Sequence, residues 1–341
     1  MQKIVGHMVI WAMFILSLFL FTECEKQSSE DKKEAVVFNL SLNYDVSEFI
    51  FDGTNILGTS APMGLGISES EELIRYIIRV YPIAKNSAAC VKEFEFTREL
   101  AMGYNCNTTI ELAPGDYEIM VWSDIVKDNQ PLYDTDDFAE IKLIGTHEGN
   151  NAYYDAFRGK VSISQADFDN GATIERAINI TMQRPLAKFE FVANDLLEFI
   201  NKEFADRPAS YDADQTTIDF SDYKVVFYYV GFMPDTYSMF TDRPVDSSTG
   251  VIFESSLNVL TENEASLGFD YVFVNERESA VTVRVGVYDV NQELVSLTSP
   301  IKVPLKRGHY TILHNPYLTT RVPDGVDIDT AYDGDYTVIV P

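Results

Sequence analysis

"SAVTVRVGVYD", residues 279 to 289, is the stretch that decides the fold class of this chain. Apolar side chains occupy every second position in it. The inward positions of this alternation are Val281, Val283, Val285 and Val287, and the outward ones include Thr282, Arg284 and Tyr288. Successive side chains of a β-strand point to opposite faces, so a period of two predicts a strand with one face in a core. We therefore predict that the valines are buried.

The stretch "TTIELAPGDYEIMVWSD", residues 108 to 124, shows the same alternation on both sides of a Pro114-Gly115 pair. Proline and glycine are typical turn residues, so the pattern predicts a β-hairpin. Further strand-like stretches with turn signals between them recur along the chain, and this density is typical of β-sandwiches. The fold class predicted from the residues is mainly β.

One helix is predicted, from about Asp195 to Phe204. Leu196, Ile200 and Phe204 recur on one face, and either Asn194 or Asp195 can serve as its N-cap.

The N-terminus has the pattern of a secretory signal peptide. An apolar run from Val9 to Phe21 follows Lys3 and is shorter than the roughly 20 residues that a transmembrane helix needs. Cys24 comes directly after it, and the polar tract "EKQSSEDKKE" follows. This arrangement resembles the lipobox of bacterial lipoproteins, although Glu23 stands where a small residue is usual. It predicts a signal peptide over 1–23, lipidation of Cys24 and a polar tether over 24–34. An ordinary secreted protein and an N-terminal anchor helix are the alternatives.

Composition limits the partners. The net charge is −27, which excludes nucleic acid as a ligand because phosphates require lysine and arginine. The same charge repels anionic lipid headgroups, so we expect membrane contact only through the N-terminal lipid. Removal of the signal peptide leaves 341 − 23 = 318 residues, which is enough for two domains. We predict an N-terminal sandwich over 35–184, a C-terminal sandwich over 185–320 and an acidic tail over 321–341.

Two cysteines remain beside Cys24. Cys90 and Cys106 flank one strand-like segment, and an exported protein reaches an oxidising compartment. A disulfide between them is geometrically allowed, and two free thiols are the alternative.

The sequence contains no catalytic or metal-binding motif. His147, His309 and His314 have no metal-ligand spacing, and no nucleophile elbow or phosphate-binding loop occurs. The acidic stretches 134–138 and 324–335 are interpreted as solvated loops in place of calcium sites. We therefore predict no catalytic residue, no metal, no cofactor and no enzymatic activity. In the aromatic run over 228–240, the half after Met233 is interpreted as a loop, which makes Tyr237, Met239 and Phe240 candidates for surface binding of a glycan or a host protein.

Several short motifs occur in a characteristic order. They are the lipoprotein cysteine, "LAPGDYEIMVWSD" (112–124), "RPLAKFEF" (184–191), "LKRGHYTIL" (305–313) and "GVDIDTAYDGDYTVIV" (325–340). In this order the chain resembles the fimbrillin-like lipoproteins of Bacteroidetes, the anchor, shaft and tip subunits of fimbriae. The resemblance implies two tandem Greek-key, transthyretin-like β-sandwiches with one short helix after the domain junction. It also implies export as a lipoprotein and display on the outer membrane at the cell surface.

The resemblance leads to a specific functional hypothesis. Subunits of a fimbria join by strand addition, and the tail strand Tyr336, Thr337, Val338, Ile339 and Val340 is either such a donor or pairs within its own domain. Polymerising members of the family lose their first strand by cleavage after a basic residue, but this chain has no Lys or Arg between Lys33 and Arg75. We therefore expect a terminal subunit such as an anchor that keeps its lipid. A standalone surface lipoprotein that binds a glycan or host ligand is the alternative, and an exported hydrolase is a third possibility without a supporting motif.

Overall fold

The computed structural model of the protein describes residues 35–45, 72–83, 89–169, 175–205, 219–276, 279–320 and 335–339. The predicted signal peptide, Cys24 and the whole of the predicted tether lie outside the described residues, as does the acidic stretch 324–334. The fold is mainly β.

Among the described residues, the first half of the chain contains ten strands and a four-residue helix. They are β1 (Val36–Tyr44), β2 (Leu73–Pro82), β3 (Lys92–Glu99), β4 (Cys106–Leu112), β5 (Tyr117–Lys127), β6 (Gln130–Pro131), β7 (Tyr133–Asp134), β8 (Ile141–Leu143), β9 (Ala156–Ile163), α1 (Ala166–Asp169) and β10 (Glu175–Met182).

The described part of the second half contains twelve strands and a longer helix. They are β11 (Leu186–Ala193), α2 (Leu196–Ala205), β12 (Lys224–Tyr229), β13 (Phe232–Ser238), β14 (Arg243–Thr249), β15 (Ile252–Ser256), β16 (Asn258–Val259), β17 (Ala265–Phe273), β18 (Ser279–Tyr288), β19 (Leu294–Leu297), β20 (Ile301–Leu305), β21 (Tyr310–Asn315) and β22 (Asp335–Ile339).

The first sandwich packs two sheets face to face. Sheet A has the order β10-β1-β4, with β1 parallel to β10 and antiparallel to β4. Sheet B has the order β3-β2-β5-β6, and β9 also pairs with β5. Alternate side chains of both sheets fill the space between them. This core includes Phe38, Leu40, Leu42, Ile74, Tyr76, Ile78, Ile119, Val121, Phe157 and Met182.

The second sandwich is built in the same way. Sheet D has the order β16-β17-β11-β21-β22, with β11 parallel to β21 and antiparallel to β17. Sheet E has the order β15-β12-β18-β19, and β20 also pairs with β18. Its core includes Phe189, Phe191, Phe199, Val225, Phe227, Leu267, Val283, Val285, Val303 and Leu318.

The two sandwiches share one pairing scheme. In the first sandwich β1 runs parallel to β10, and in the second β11 runs parallel to β21. The antiparallel pairs β1-β4, β2-β3, β2-β5 and β5-β9 have the antiparallel counterparts β11-β17, β12-β15, β12-β18 and β18-β20. The corresponding strands are β1 and β11, β2 and β12, β3 and β15, β4 and β17, β5 and β18, β9 and β20, and β10 and β21. The second sandwich is therefore a structural repeat of the first, with β16 and β22 added at the edges of sheet D.

A third cluster joins the two sandwiches. Sheet C takes β7 and β8 from the first half of the chain and β13 and β14 from the second, in the order β14-β13-β8-β7. The aromatic core beside it draws on both halves and includes Trp122, Tyr133, Phe138, Tyr154, Tyr237 and Phe273. Because this sheet crosses the predicted division after residue 184, that division stays a prediction.

Two predictions from periodicity are confirmed. Val281, Val283, Val285 and Val287 of β18 are each at most 3% exposed. Helix α2 lies where it was predicted, but neither residue proposed as its N-cap has its side chain on the helix. The carboxylate of Asp195 accepts hydrogen bonds from the backbone N–H groups of Leu318 and Thr319, and Asn263 satisfies the first N–H groups of α2.

The predicted hairpin over 108–124 is wrong. Strands β4 and β5 exist and meet at the Pro114-Gly115 turn, but β4 pairs with β1 in sheet A whereas β5 pairs with β2 in sheet B. The turn therefore crosses from one sheet of the sandwich to the other.

Candidate functional site: the terminal strands and the domain junction

Strand β1 is the central strand of sheet A and a main contributor to the first core. Phe38, Leu40 and Leu42 are each at most 1% exposed, and the ring of Tyr44 meets that of Phe157 edge to face with centroids 4.9 Å apart. Full burial of one large apolar side chain stabilises a fold by about 1.5–3 kcal/mol. Loss of β1 would therefore remove several such contributions and open sheet A along both neighbours.

Along its outer edge, β10 has backbone groups that pair with no strand in the part of the chain that the structure describes. Met182 accepts a hydrogen bond from the backbone of Asp45 on the β1 side, whereas Gln183 exchanges both backbone hydrogen bonds with Arg158 on the other side. Backbone groups of a strand alternate between its two sides. Ala177, Asn179 and Thr181 therefore point away from β1, where no described strand pairs with them.

The tail strand β22 occupies the corresponding edge of the second sandwich. It runs antiparallel to β21, with Tyr336 opposite Leu313 and Val338 opposite Thr311. Of the predicted donor strand, Tyr336, Thr337, Val338 and Ile339 thus lie in β22, and Val340 lies outside the described residues.

The other long edge strands carry charges or proline, which discourage pairing with a foreign strand. These residues include Glu93 and Glu95 in β3, Glu111 in β4, Arg158 and Lys160 in β9, Arg243 and Pro244 in β14, Glu254 in β15, and Lys302 in β20. Strand β10 has neither a charged residue nor a proline from Ala177 to Met182. Strand β22 has neither a charged residue nor a proline after Asp335. Over these residues the two edges lack the charges and prolines that the other long edge strands of the described ranges carry, although β10 begins with Glu175 and Arg176.

Partly buried ion pairs fix the junction between the sandwiches. The carboxylate of Asp242 accepts hydrogen bonds from Arg158 of the first half (2.8 Å) and Arg307 of the second (3.0 Å). The hydroxyl of Tyr237 donates to the same carboxylate. One side chain at the end of sheet C thus holds both halves together.

A second polar cluster links the halves at His147. Its Nε2 lies 2.7 Å from Oδ2 of Asp270, and the hydroxyl of Tyr229 donates to the same oxygen at 2.5 Å. Burial by itself would lower the pKa of His147, but the adjacent carboxylate of Asp270 raises it on balance. The imidazole is therefore biased toward the charged form.

The two cysteines are free thiols in the structure. Cys106 is buried in the first core, while the half-buried Cys90 donates to the backbone carbonyl of Lys92 at 2.8 Å. The alternative of two free thiols is thus the one that the structure contains.

The predicted surface-binding residues are misplaced. Tyr237 is fully buried and Met239 is 2% exposed, because β13 pairs with β8 and turns this segment into the core between the sandwiches. Phe240 is half-buried and meets Tyr81 edge to face at 5.0 Å. A run of aromatic residues does not show whether its side chains face solvent or pack against another domain. The sequence therefore contains no signal that these residues are buried.

The acidic stretch 134–138 serves as turn structure. Asp134 and Asp137 accept hydrogen bonds from the backbone N–H groups of Asp136 and Ala139. Among the described residues, no group of three His, Cys, Asp or Glu side chains is arranged to hold a metal ion. Within the same ranges, no helix has the length and hydrophobicity that crossing a bilayer requires.

Solved structures with a similar arrangement come from Bacteroidetes and have low sequence identity. A DUF1812 protein from Bacteroides thetaiotaomicron aligns with a TM-score of 0.47 and 11% identity, over 83% of this chain and 93% of that chain. The tip fimbrial protein Mfa3 of Porphyromonas gingivalis aligns with a TM-score of 0.44 and 10% identity, over 89% and 99%. The fimbrial anchor protein Mfa2 of the same organism aligns with a TM-score of 0.39 and 9% identity, over 82% and 90%.

No curated protein matches the sequence. A protein-family model matches residues 29–341, which is nearly the whole chain. The chain therefore belongs to DUF6562, a family of unknown function.

Proposed function

We propose that this protein is a non-enzymatic, lipid-anchored component of a fimbria-like adhesive structure on the cell surface. Within that structure it is a terminal subunit, such as an anchor. The order of short sequence motifs supports the class, and the position of Cys24 after the apolar run supports the outer-membrane lipid anchor.

The observation that carries the proposal is the unprotected edge of β10. This edge corresponds to the edge of β21 in the second sandwich, and β22 already pairs there. The first sandwich is therefore shaped to accept one more strand at the equivalent place. Exposed strand edges add foreign strands through backbone hydrogen bonds, and the exposed side chains of Ala177, Asn179 and Thr181 are small and uncharged.

The terminal position follows from β1. No basic residue stands between Lys33 and Arg75, so a protease that cuts after Lys or Arg has no site in the segment that follows β1. With β1 retained, the first sandwich keeps its core and remains covalently joined to the lipid. Assembly then proceeds at the edge of sheet A, while residues 336–339 of the tail pair with β21 within their own sandwich.

The experiment compares two charge substitutions on opposite edges of sheet A. Asn179→Lys places an ammonium beside the free backbone groups of β10, while Thr109→Lys places one at the exposed face of β4. Surface material is sheared from cells, and proteins that co-purify with each tagged variant are identified by mass spectrometry. We expect Asn179→Lys to lose its partner subunits and Thr109→Lys to retain them.

Thermal unfolding of both variants serves as the folding control. Equal recovery of partners with Asn179→Lys and the unaltered chain would contradict addition at β10. Absence of any partner subunit from the unaltered chain would contradict the fimbrial assignment itself.

A further inference from the structure

A cleft of about 350 Å³ opens at the junction of the two sandwiches, apart from the edges of β10 and β22. The first half contributes β8 and the segment after it, including Lys142, Thr146 and His147. The second half contributes β13, β14 and the start of β15, including Asp235 and Ser248. The volume lies at the lower end of the range of small-molecule sites, about 300–1,000 Å³.

A bent two-stranded ribbon shapes one wall of the cleft. Strands β12 and β15 pair in sheet E, and their continuations β13 and β14 pair in sheet C. The chain changes direction at Gly231 and Gly250, whose φ angles of 105° and 68° favour glycine. The ribbon thereby leaves the second sandwich and reaches the first, with the cleft beside the bend.

The polar groups of this wall form a connected set. The carboxylate of Asp235 accepts hydrogen bonds from the hydroxyls of Thr236 at 2.9 Å and Ser248. A carboxylate has about four acceptor sites, and a serine hydroxyl that donates still has lone pairs to accept with. Asp235 and Ser248 can therefore receive hydroxyl groups of a ligand while their mutual hydrogen bond holds both side chains in place.

The opposite wall is rigid. The side chain of His147 is 10% exposed and is fixed by Asp270, with its ring against the rings of Tyr154 and Phe253. Its Nδ1 atom is buried and has no hydrogen-bond partner among the described residues. Because this atom is buried, it is not accessible from the cleft, and the ring serves as a fixed wall.

The charge of the protein and the apolar surface of the cleft limit the chemical class of ligand that the cleft can bind. The protein as a whole is strongly acidic, which disfavours anionic ligands. Inside the cleft, the ammonium of Lys142 and the carboxylate of Asp235 offset each other, while Leu143, Met233 and Ile252 supply aliphatic surface. A sugar ring fits these groups, because its adjacent hydroxyls can bind the polar side chains of the cleft and its apolar C–H face can pack on the aliphatic ones. We propose that the cleft binds a neutral sugar residue, with Asp235 and Ser248 holding its hydroxyl groups.

Saturation-transfer NMR on the full mature chain tests the proposal. The probes are D-galactose, D-mannose, L-fucose and N-acetyl-D-glucosamine, with glycine as a zwitterionic probe. We expect saturation of at least one sugar, and an affinity at least tenfold lower in Asp235→Asn. The exposed Asp246 of β14 does not line the cleft, so Asp246→Asn should retain the affinity of the unaltered chain.

A second variant keeps the test decisive if Asp235→Asn fails to fold. Thr146 is exposed on the cleft wall, so Thr146→Trp fills the space without altering a core and should abolish sugar binding. No saturation of any of the four sugars would overturn the proposal. Sugar binding that survives Thr146→Trp, or binding of glycine without binding of sugars, would also overturn it.

Discussion

Arg184 donates two hydrogen bonds to the carboxylate of Asp155, with Nε 2.7 Å from Oδ1 and Nη2 2.8 Å from Oδ2. Both side chains are buried, and the guanidinium lies 4.6 Å from the ring centroid of Phe157. Arg184 stands between the last strand of the first sandwich and the first strand of the second. The pair therefore fixes the chain at the point where it passes from one sandwich to the other.

Removal of the charge of Asp155 should destabilise the protein strongly. Asp155→Asn leaves the guanidinium of Arg184 buried without its counter-charge, and breaking a buried pair costs about 3–5 kcal/mol. Glu254→Gln is the matched control, because the pair of Glu254 with Lys224 is largely exposed and such pairs contribute about 0–1 kcal/mol. Urea unfolding of the three proteins measures both free energies. Equal losses in the two variants would contradict the role of Arg184.

The pair of His147 and Asp270 predicts a pH dependence of stability. The pKa of His147 is raised in the folded state. The contribution of the charged imidazole to the free energy of unfolding is therefore fully present below the ordinary histidine pKa of about 6.5. The contribution is lost as the pH rises through the folded-state pKa. The free energy of unfolding should therefore fall across this window in the unaltered chain, and less steeply in His147→Gln.

His314→Gln serves as the control for this measurement, because the ring of His314 is partly exposed and 3.6 Å from Glu264. Its unfolding should follow the unaltered chain from pH 5.5 to pH 9. Parallel curves for His147→Gln and the unaltered chain would show that this imidazole does not change its charge with folding.

The register of β18 predicts a contrast between neighbouring positions. Val283 is fully buried, so Val283→Asp places an unpaired carboxylate in the second core and should cost about 4 kcal/mol or more. Thr282 is on the other face and half-buried, so Thr282→Asp should cost about 1 kcal/mol. Thermal unfolding measures both, and a greater loss in Thr282→Asp would mean that the faces are reversed.

The free thiols predict a simple labelling result. In a chain that begins at residue 25, Cys90 and Cys106 should both react with iodoacetamide after unfolding without a reductant. In the folded chain Cys90 should react first, because Cys106 is only 6% exposed. A requirement for reductant before any labelling would instead show a disulfide between them.

Periodicity predicted strands and the helix correctly because it depends on residues that are close in sequence. The alternating valines of β18 indicate one strand and its buried face. The apolar residues of α2 indicate one helix and its buried face. The same reasoning was wrong for the turn at Pro114-Gly115, because alternation does not indicate which strand is the partner. Strand β4 pairs with β1, far away in sequence, and that choice depends on how both sheets close around the first core.

The junction was largely unpredictable for a related reason. The bridge at the junction joins three residues that are far apart in the sequence, namely Arg158, Asp242 and Arg307. Because the chain contains many carboxylates, the sequence does not show that Asp242 is the one that bridges the two halves. Tyr237 was expected at the surface because its partner strand β8 comes from the other half of the chain. The cleft beside sheet C could not be predicted from the sequence either, because its walls come from both halves of the chain and meet only when the two halves pack.

The N-terminus of the surface-exposed protein shows whether the mature chain keeps its lipid anchor. The protein is extracted from outer membranes with detergent, and its N-terminal peptide is identified by mass spectrometry. We predict that the mature chain begins at Cys24, carries acyl groups there and retains β1 from Val36 to Tyr44. A mature chain that begins at or beyond Arg75 would contradict a retained lipid anchor and would indicate a processed, polymerising subunit.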